Sequence, residues 1–341
     1  MLKWFLLSAL LSFSLGLSLP RHGLYPLKVI RSPSHLNFKN ISTILTVSLN
    51  VGTPWQNGMF RIDTTMTEVE VNLCPTQNVK GNMCFFYYNS SSFVKQSDQT
   101  ASDSIQNDFF KTTTNVTFGT TVLNEAPAMG SVGMAWPSAQ KYPGQTNFIG
   151  DLLKGARSRI FSMTIGLDDC SGYFQLGAAF LCNEKPNATL YLPVTSKKYW
   201  QFALSSVKVG SVLATTQSQA IIDSTKNNIG VPKKFLAAFT NAFGITWDGL
   251  YNAYTLDCSR VGQLPDLELS VSGGSLRIKP QYYVNTWTVL ANGKCALNME
   301  DSVNGVGAEW YFGWHLLTDY CGSFDYEKAR MGFTTNTRKV C

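Results

Sequence analysis

Two widely separated stretches of the sequence repeat the same order of residue types and end in the same chemistry. Leu49-Asn50-Val51-Gly52 leads to Phe60-Arg61-Ile62-Asp63-Thr64-Thr65, and Val207-Lys208-Val209-Gly210 leads to Ala220-Ile221-Ile222-Asp223-Ser224-Thr225. An aspartate at the end of an apolar run also begins ordinary turns, because its side chain bonds nearby backbone amides. Two such aspartates in related halves of one chain point further. Carboxylates brought face to face cannot both ionise, so they share a proton. One then serves as base on a water while the other serves as acid on a scissile carbonyl.

Such chemistry needs elements that deliver both aspartates to one place. Each copy reads as a strand, a turn and a buried strand, followed downstream by apolar residues and glycine, Val132-Gly133 and Tyr311-Phe312-Gly313. Alternating segments at Thr43–Val51, Met59–Ile62 and Val69–Leu73, divided by Gly-Thr-Pro and Asn-Gly, predict hairpins. Helical spacing is confined to Asn147–Arg157 and Pro232–Phe243, the second opened by proline and followed by Gly244. The expected fold is all-β, two-lobed around a central cleft, with a few short helices. Its parts are a signal peptide over 1–18, a short basic arm over 19–40, an N-terminal lobe over 41–190 carrying Asp63, and a C-terminal lobe over 191–341 carrying Asp223.

Composition narrows the chemistry. The chain has 341 residues and only 15% charged side chains, too few for a disordered polyelectrolyte. A net charge of +6 is scattered, with no run longer than Lys197-Lys198 or Lys233-Lys234, so nucleic acid is not an expected partner. Of three histidines, His22 and His35 lie in the leader and only His315 in the body, which argues against a histidine-built metal site and against a serine or cysteine hydrolase. No phosphate-binding or dinucleotide fingerprint is present. A glycosidase also needs only two carboxylates.

Lys3 followed by the apolar run Trp4–Leu17, with Gly16 and Ser18 as small residues, reads as a cleaved export signal and not a membrane anchor. The eight cysteines all lie beyond it and suggest four disulfides. Many pairings are open; proximity favours Cys74–Cys84, Cys170–Cys182, Cys258–Cys295 and Cys321–Cys341. Glycosylation sequons at Asn40, Asn89, Asn115 and Asn187 agree with the secretory pathway.

Together these residues resemble the two-lobed, pepsin-like aspartic endopeptidases over nearly the whole chain after the leader. The resemblance rests on Val51-Gly52-Thr53-Pro54-Trp55-Gln56, on Asp63-Thr64 and Asp223-Ser224, and on Tyr199-Trp200, Leu264-Pro265-Asp266, Phe312-Gly313 and Arg330-Met331-Gly332-Phe333. The Cys74–Cys84 loop falls where the family places one, and the Cys170–Cys182 segment is similar to secreted nematode members. The resemblance implies Asp63 and Asp223 as the catalytic pair, Thr64 and Ser224 as supports, no cofactor, and a peptide or protein in the cleft.

Departures from the pattern set the functional expectation. Thr65 and Thr225 stand where the family has glycine, and should push the loops apart or place a hydroxyl where the catalytic water sits. Met66 and Lys226 replace residues whose hydroxyls bond the outer carboxylate oxygens. Lys226 would pair with Asp223 if turned inward, or be solvated if turned outward. Asn82–Phe118 holds neither glycine nor proline, and no tyrosine follows Phe93 in it, which questions the family's closing hairpin. Phe109 is its conceivable substitute, and Tyr87 and Tyr88 sit too early. Trp314 stands where the family commonly has aspartate, and the basic stretch from His22 to Arg31 should either cover the cleft or extend into solvent. The expectation is a secreted, monomeric relative with weak or lost activity that binds peptide or protein in its cleft. The alternatives are an active endopeptidase and a lysosomal or other secretory-pathway location.

Overall fold

The computed structural model describes residues 23–32, 42–76, 84–106, 113–122, 128–142, 144–165, 172–179, 189–214, 217–286, 288–302 and 308–337. Asp63 is delivered by an antiparallel pair, Ser42–Val51 with Gln56–Asp63, in the register Thr46 opposite Arg61. Asp223 is delivered by its counterpart, Gln201–Leu204 with Ser218–Ile222.

The same topology follows in both halves. Gln56–Asp63 runs parallel to Gly130–Gly133, which pairs antiparallel with Val69–Asn72, which pairs parallel with Thr113–Thr121. Ser218–Ile222 runs parallel to Trp310–Phe312, which pairs antiparallel with Ile229–Val231, which pairs parallel with Met299–Asp301. The repeat in the sequence is thus a repeat in space. Its glycines allow close approach: a Cβ on Gly133 would lie 2.5 Å from the Met66 carbonyl oxygen, and one on Gly313 2.2 Å from that of Lys226.

A thirteen-stranded sheet carries the first copy and also joins the halves, because Ile160–Thr164 pairs with Tyr320–Asp325. Aromatic packing seals that junction. Phe161 stacks on Phe324 at 4.6 Å, and Trp200 and Tyr326 meet at 4.9 Å. Burial of each such ring is worth roughly 1.5–3 kcal/mol. Between residues 23 and 32 the arm is neither a cover nor a loose extension but part of the sheet. It runs there as a strand, pairing first with Gly172–Leu176 and then with Ser42–Val51.

Several local expectations shift. Asn57-Gly58 is no turn, since the strand already begins at Gln56. Asn57 bonds Ser48 and Asn50 across the hairpin, and Gly58 leaves room for the Met129 side chain. The first helix is shorter than its periodicity, Phe148–Lys154, because Gly155 caps it. Asn147 opens it by accepting from the Gly150 amide at 3.0 Å. The second, Lys233–Ala242, buries Phe235, Leu236, Phe239 and Thr240 on one face, as a 3.6-residue period requires.

The span lacking glycine and proline still forms a hairpin, Thr100–Gln106 with Thr113–Thr121. Its first strand buries Ala101, Ser102, Asp103 and Ile105. The tip with Phe109 and Phe110 lies outside the described residues, as do Cys170, Cys182, Cys341, Asn40, Asn187 and the signal segment. Cys74–Cys84 and Cys258–Cys295 are bonded, and Cys321 is also in a disulfide. Among the described residues, no helix is long and apolar enough to cross a membrane.

Candidate functional site

Asp63 ends its strand and Asp223 follows its own, both buried. The two loops interlock through four hydrogen bonds between the halves. Thr64 Oγ1 donates to the Ile222 carbonyl at 2.7 Å and accepts from the Ser224 amide at 2.9 Å. Ser224 Oγ donates to the Ile62 carbonyl at 2.8 Å and accepts from the Thr64 amide at 3.1 Å. Thr64 and Ser224 are essentially closed to solvent, so every bond in this ring stands in a low dielectric.

The backbone behind the loops is tied to the aromatic junction. The Asp63 carbonyl accepts from the Met134 amide at 2.7 Å. The Met134 carbonyl accepts from the Trp200 indole at 2.7 Å and from the Tyr326 hydroxyl at 2.6 Å. Trp200 returns the connection, its carbonyl accepting from the Ile222 amide at 3.1 Å. Loop position is therefore set by packing at the core of both halves.

Thr65 and Thr225 do not force the loops apart. Each turns its hydroxyl onto its own aspartate. Asp63 Oδ1 accepts from the Thr65 amide at 2.8 Å and hydroxyl at 2.6 Å. Asp223 Oδ1 accepts from the Thr225 amide at 3.0 Å and hydroxyl at 2.7 Å. One oxygen of each carboxylate thus has both lone pairs engaged by its own loop.

Lys226 neither pairs directly with Asp223 nor stands free in solvent. Its ammonium lies over the Tyr311 ring, 5.5 Å from the centroid, a cation–π contact that half-buries the side chain. Tyr311 donates its hydroxyl to Glu300. Burial pushes the Tyr311 phenol well above its ordinary range, and Glu300 adds to the shift. Burial likewise raises the Asp223 carboxyl, opposed by the Thr225 hydroxyl, reinforced by the nearby charge of Asp63, and lowered weakly by Lys226.

The cation beside the pair is Arg61, which was not among the expected site residues. Its Nη2 lies 3.5 Å from Asp63 Oδ2. The signal was present in the strand period, because residues 61 and 63 share one face of Gln56–Asp63. His315 is structural: it is buried, stacked on Trp314 at 4.1 Å and within 3.3 Å of the Asn298 amide. Burial pushes its imidazole down to about 3. Trp314 donates to Asn227 at 3.2 Å, occupying its position as packing and not as an acid. Tyr87 and Tyr88 lie in the exposed turn Tyr87–Asn89 after the first disulfide. Among the described residues, no cluster of three or more His, Cys, Asp or Glu side chains could hold a metal ion.

A neighbouring carboxylate pair can share a proton and activate water, provided oxygen lone pairs remain for that water. Here the site keeps the pair and its interlocked loops, but fills much of its acceptor capacity from within the chain.

Comparison with known proteins agrees with this architecture. Residues 46–336 match the family of eukaryotic aspartyl proteases. Aspartic protease 1 of Caenorhabditis elegans is 28% identical over 64% of this chain and 57% of its own length. Gastricsin of Suncus murinus is 30% identical over 60% of this chain and 54% of its own. Aspartic protease Bla g 2 of Blattella germanica is 29% identical over 44% and 42%. The chain spans little more than half the length of the first two relatives. Matching family, duplicated strand order and paired aspartates converge, and the chain belongs to the pepsin-like eukaryotic aspartyl protease family.

Proposed function

We propose that this protein is a secreted member of the family that binds peptide or protein segments in its cleft and has lost most or all hydrolytic activity. One observation carries the reading: Thr65 and Thr225 each place an amide and a hydroxyl on one aspartate oxygen. Those lone pairs are then no longer open to a catalytic water or to a proton shared across the pair. Arg61 places a cation 3.5 Å from the other oxygen of Asp63. The arrangement holds two aspartates in place and fills acceptor positions that a reacting water would use.

Export is supported by the apolar N-terminal run, the disulfides and the exposure of Asn89 and Asn115, both in glycosylation sequons. The protein acts as a monomer without cofactor or membrane anchor.

A second reading, an active endopeptidase using Asp63 and Asp223, is favoured by the intact Thr64–Ser224 ring and by the raised carboxyl of Asp223. The two readings part in one experiment. Purified protein is incubated with a mixed peptide library from acid to neutral pH, and both retained and cleaved peptides are identified by mass spectrometry. Retention without cleavage is the expected result. Cleavage that disappears in Asp63→Asn and in Asp223→Asn would establish the second reading.

A further inference from the structure

Arg61 is an unusual residue to find two positions before a buried aspartate in an otherwise apolar run, and its geometry is not that of a structural ion pair. Among the described residues its one recorded partner is Asp63, through a single nitrogen at 3.5 Å. A guanidinium has five donors and forms its strongest pairs through two parallel bonds. Among the described residues Nε has no acceptor. Exposure is unequal as well, with 38% of the Arg61 side chain open to solvent against 8% of Asp63. The aspartate already receives two bonds from Thr65, so it is the better satisfied partner. Arg61 is the half of the pair that reaches solvent with unspent donors.

We propose that Arg61 is a specificity residue that selects ligands presenting a carboxylate beside Asp63, namely peptides with an aspartate or glutamate at that place. This rests on the reading of the cleft as a peptide-binding site. Arg61 swings its planar fork from the single long contact to a bidentate pair with the ligand carboxylate. Nε gains an acceptor in that shift, which removes the cost of a buried unpaired donor. Asp63 keeps its two bonds from Thr65 while the guanidinium turns, so the exchange does not strand the buried carboxylate. A glutamine or asparagine of the same shape offers one neutral oxygen and loses the charge-assisted fork.

The test uses the full secreted chain and fluorescently labelled peptides retained from a mixed library. Each acidic residue is replaced in turn by its amide, and affinities are compared within each pair. At least one position should show a tenfold or greater preference for the acid. Arg61→Met should abolish that preference, bringing each acid and its amide to equal affinity, and Arg61→Lys should restore part of it. Asp63→Asn, which frees the guanidinium, should enlarge the preference, and this variant decides the matter if Arg61→Met does not fold. Equal affinity for acid and amide at every position, or a preference that persists in folded Arg61→Met, overturns the proposal. If no peptide of any sequence binds, the cleft reading itself falls, and this inference with it.

Discussion

Changing Thr64 to valine keeps the shape of the side chain and removes one oxygen from the ring that joins the two halves. That oxygen donates to the Ile222 carbonyl at 2.7 Å and accepts from the Ser224 amide at 2.9 Å. Thr64 has no solvent exposure, so water cannot replace either bond. Each stranded group costs about 1–3 kcal/mol, and the pair about 2–6 kcal/mol. Ser224→Ala strands the Ile62 carbonyl and Thr64 amide in the same way. Since each hydroxyl holds the loop from which the other is presented, the double variant should lose less than the sum of the singles. Coupling of this kind typically amounts to about 0.5–3 kcal/mol. Urea unfolding with disulfides intact measures all three, as midpoint shifts at unchanged slope. A Thr64→Val cost below about 0.5 kcal/mol would class the residue with ordinary surface positions and refute the reasoning. So would strict additivity of the two changes.

Three further outcomes follow from individual contacts. The Asp223 carboxyl is raised in the folded state, so its contribution to stability is fully present below the unfolded value and is lost as pH rises through the folded one. Asp223→Asn should therefore melt higher than the parent near neutral pH and lose that advantage in acid, as thermal melts across pH would record; a constant difference would contradict it. Tyr326→Phe removes a buried donor to the Met134 carbonyl and should cost about 1–2 kcal/mol in urea, with little cost if that carbonyl relies on Trp200 alone. Removing the Cys258–Cys295 bond, which closes a separation of 37 residues, should cost about 4 kcal/mol, more than the about 3 kcal/mol for Cys74–Cys84 with its separation of 10, by paired cysteine-to-serine variants.

The fold was legible because duplication multiplies weak signals. One Asp-Thr says little, but two copies of strand, turn, strand and downstream glycine define a topology. The glycines were readable for a physical reason: Gly133 and Gly313 lie against the carbonyls of Met66 and Lys226, where a side chain cannot fit. Asn57-Gly58 misled because the glycine serves Met129 and not a turn, a contact no local pattern encodes.

At the site, the sequence identified the aspartates, their supports and the departures, but not where the departing side chains point. Thr65 and Thr225 could spread the loops or place a hydroxyl at the water position, and the distances put each hydroxyl on its own carboxylate. Lys226 was weighed as an ion pair or a solvated charge, yet Tyr311 offers its face from a strand some eighty positions away in sequence. Arg61 is encoded only by strand alternation, two positions before Asp63 on the same face, and carries no motif of its own.

Threonine hydroxyls on an intact fold, we propose, silence the aspartate pair. This is tested most directly by replacing Thr65 and Thr225 with glycine, and Met66 and Lys226 with serine and threonine, then assaying hydrolysis of a mixed peptide library in acid. The parent protein should show no cleavage that depends on Asp63. The substituted protein should cleave, and Asp63→Asn should abolish that cleavage. Cleavage by the parent that is lost in Asp63→Asn would contradict the account outright.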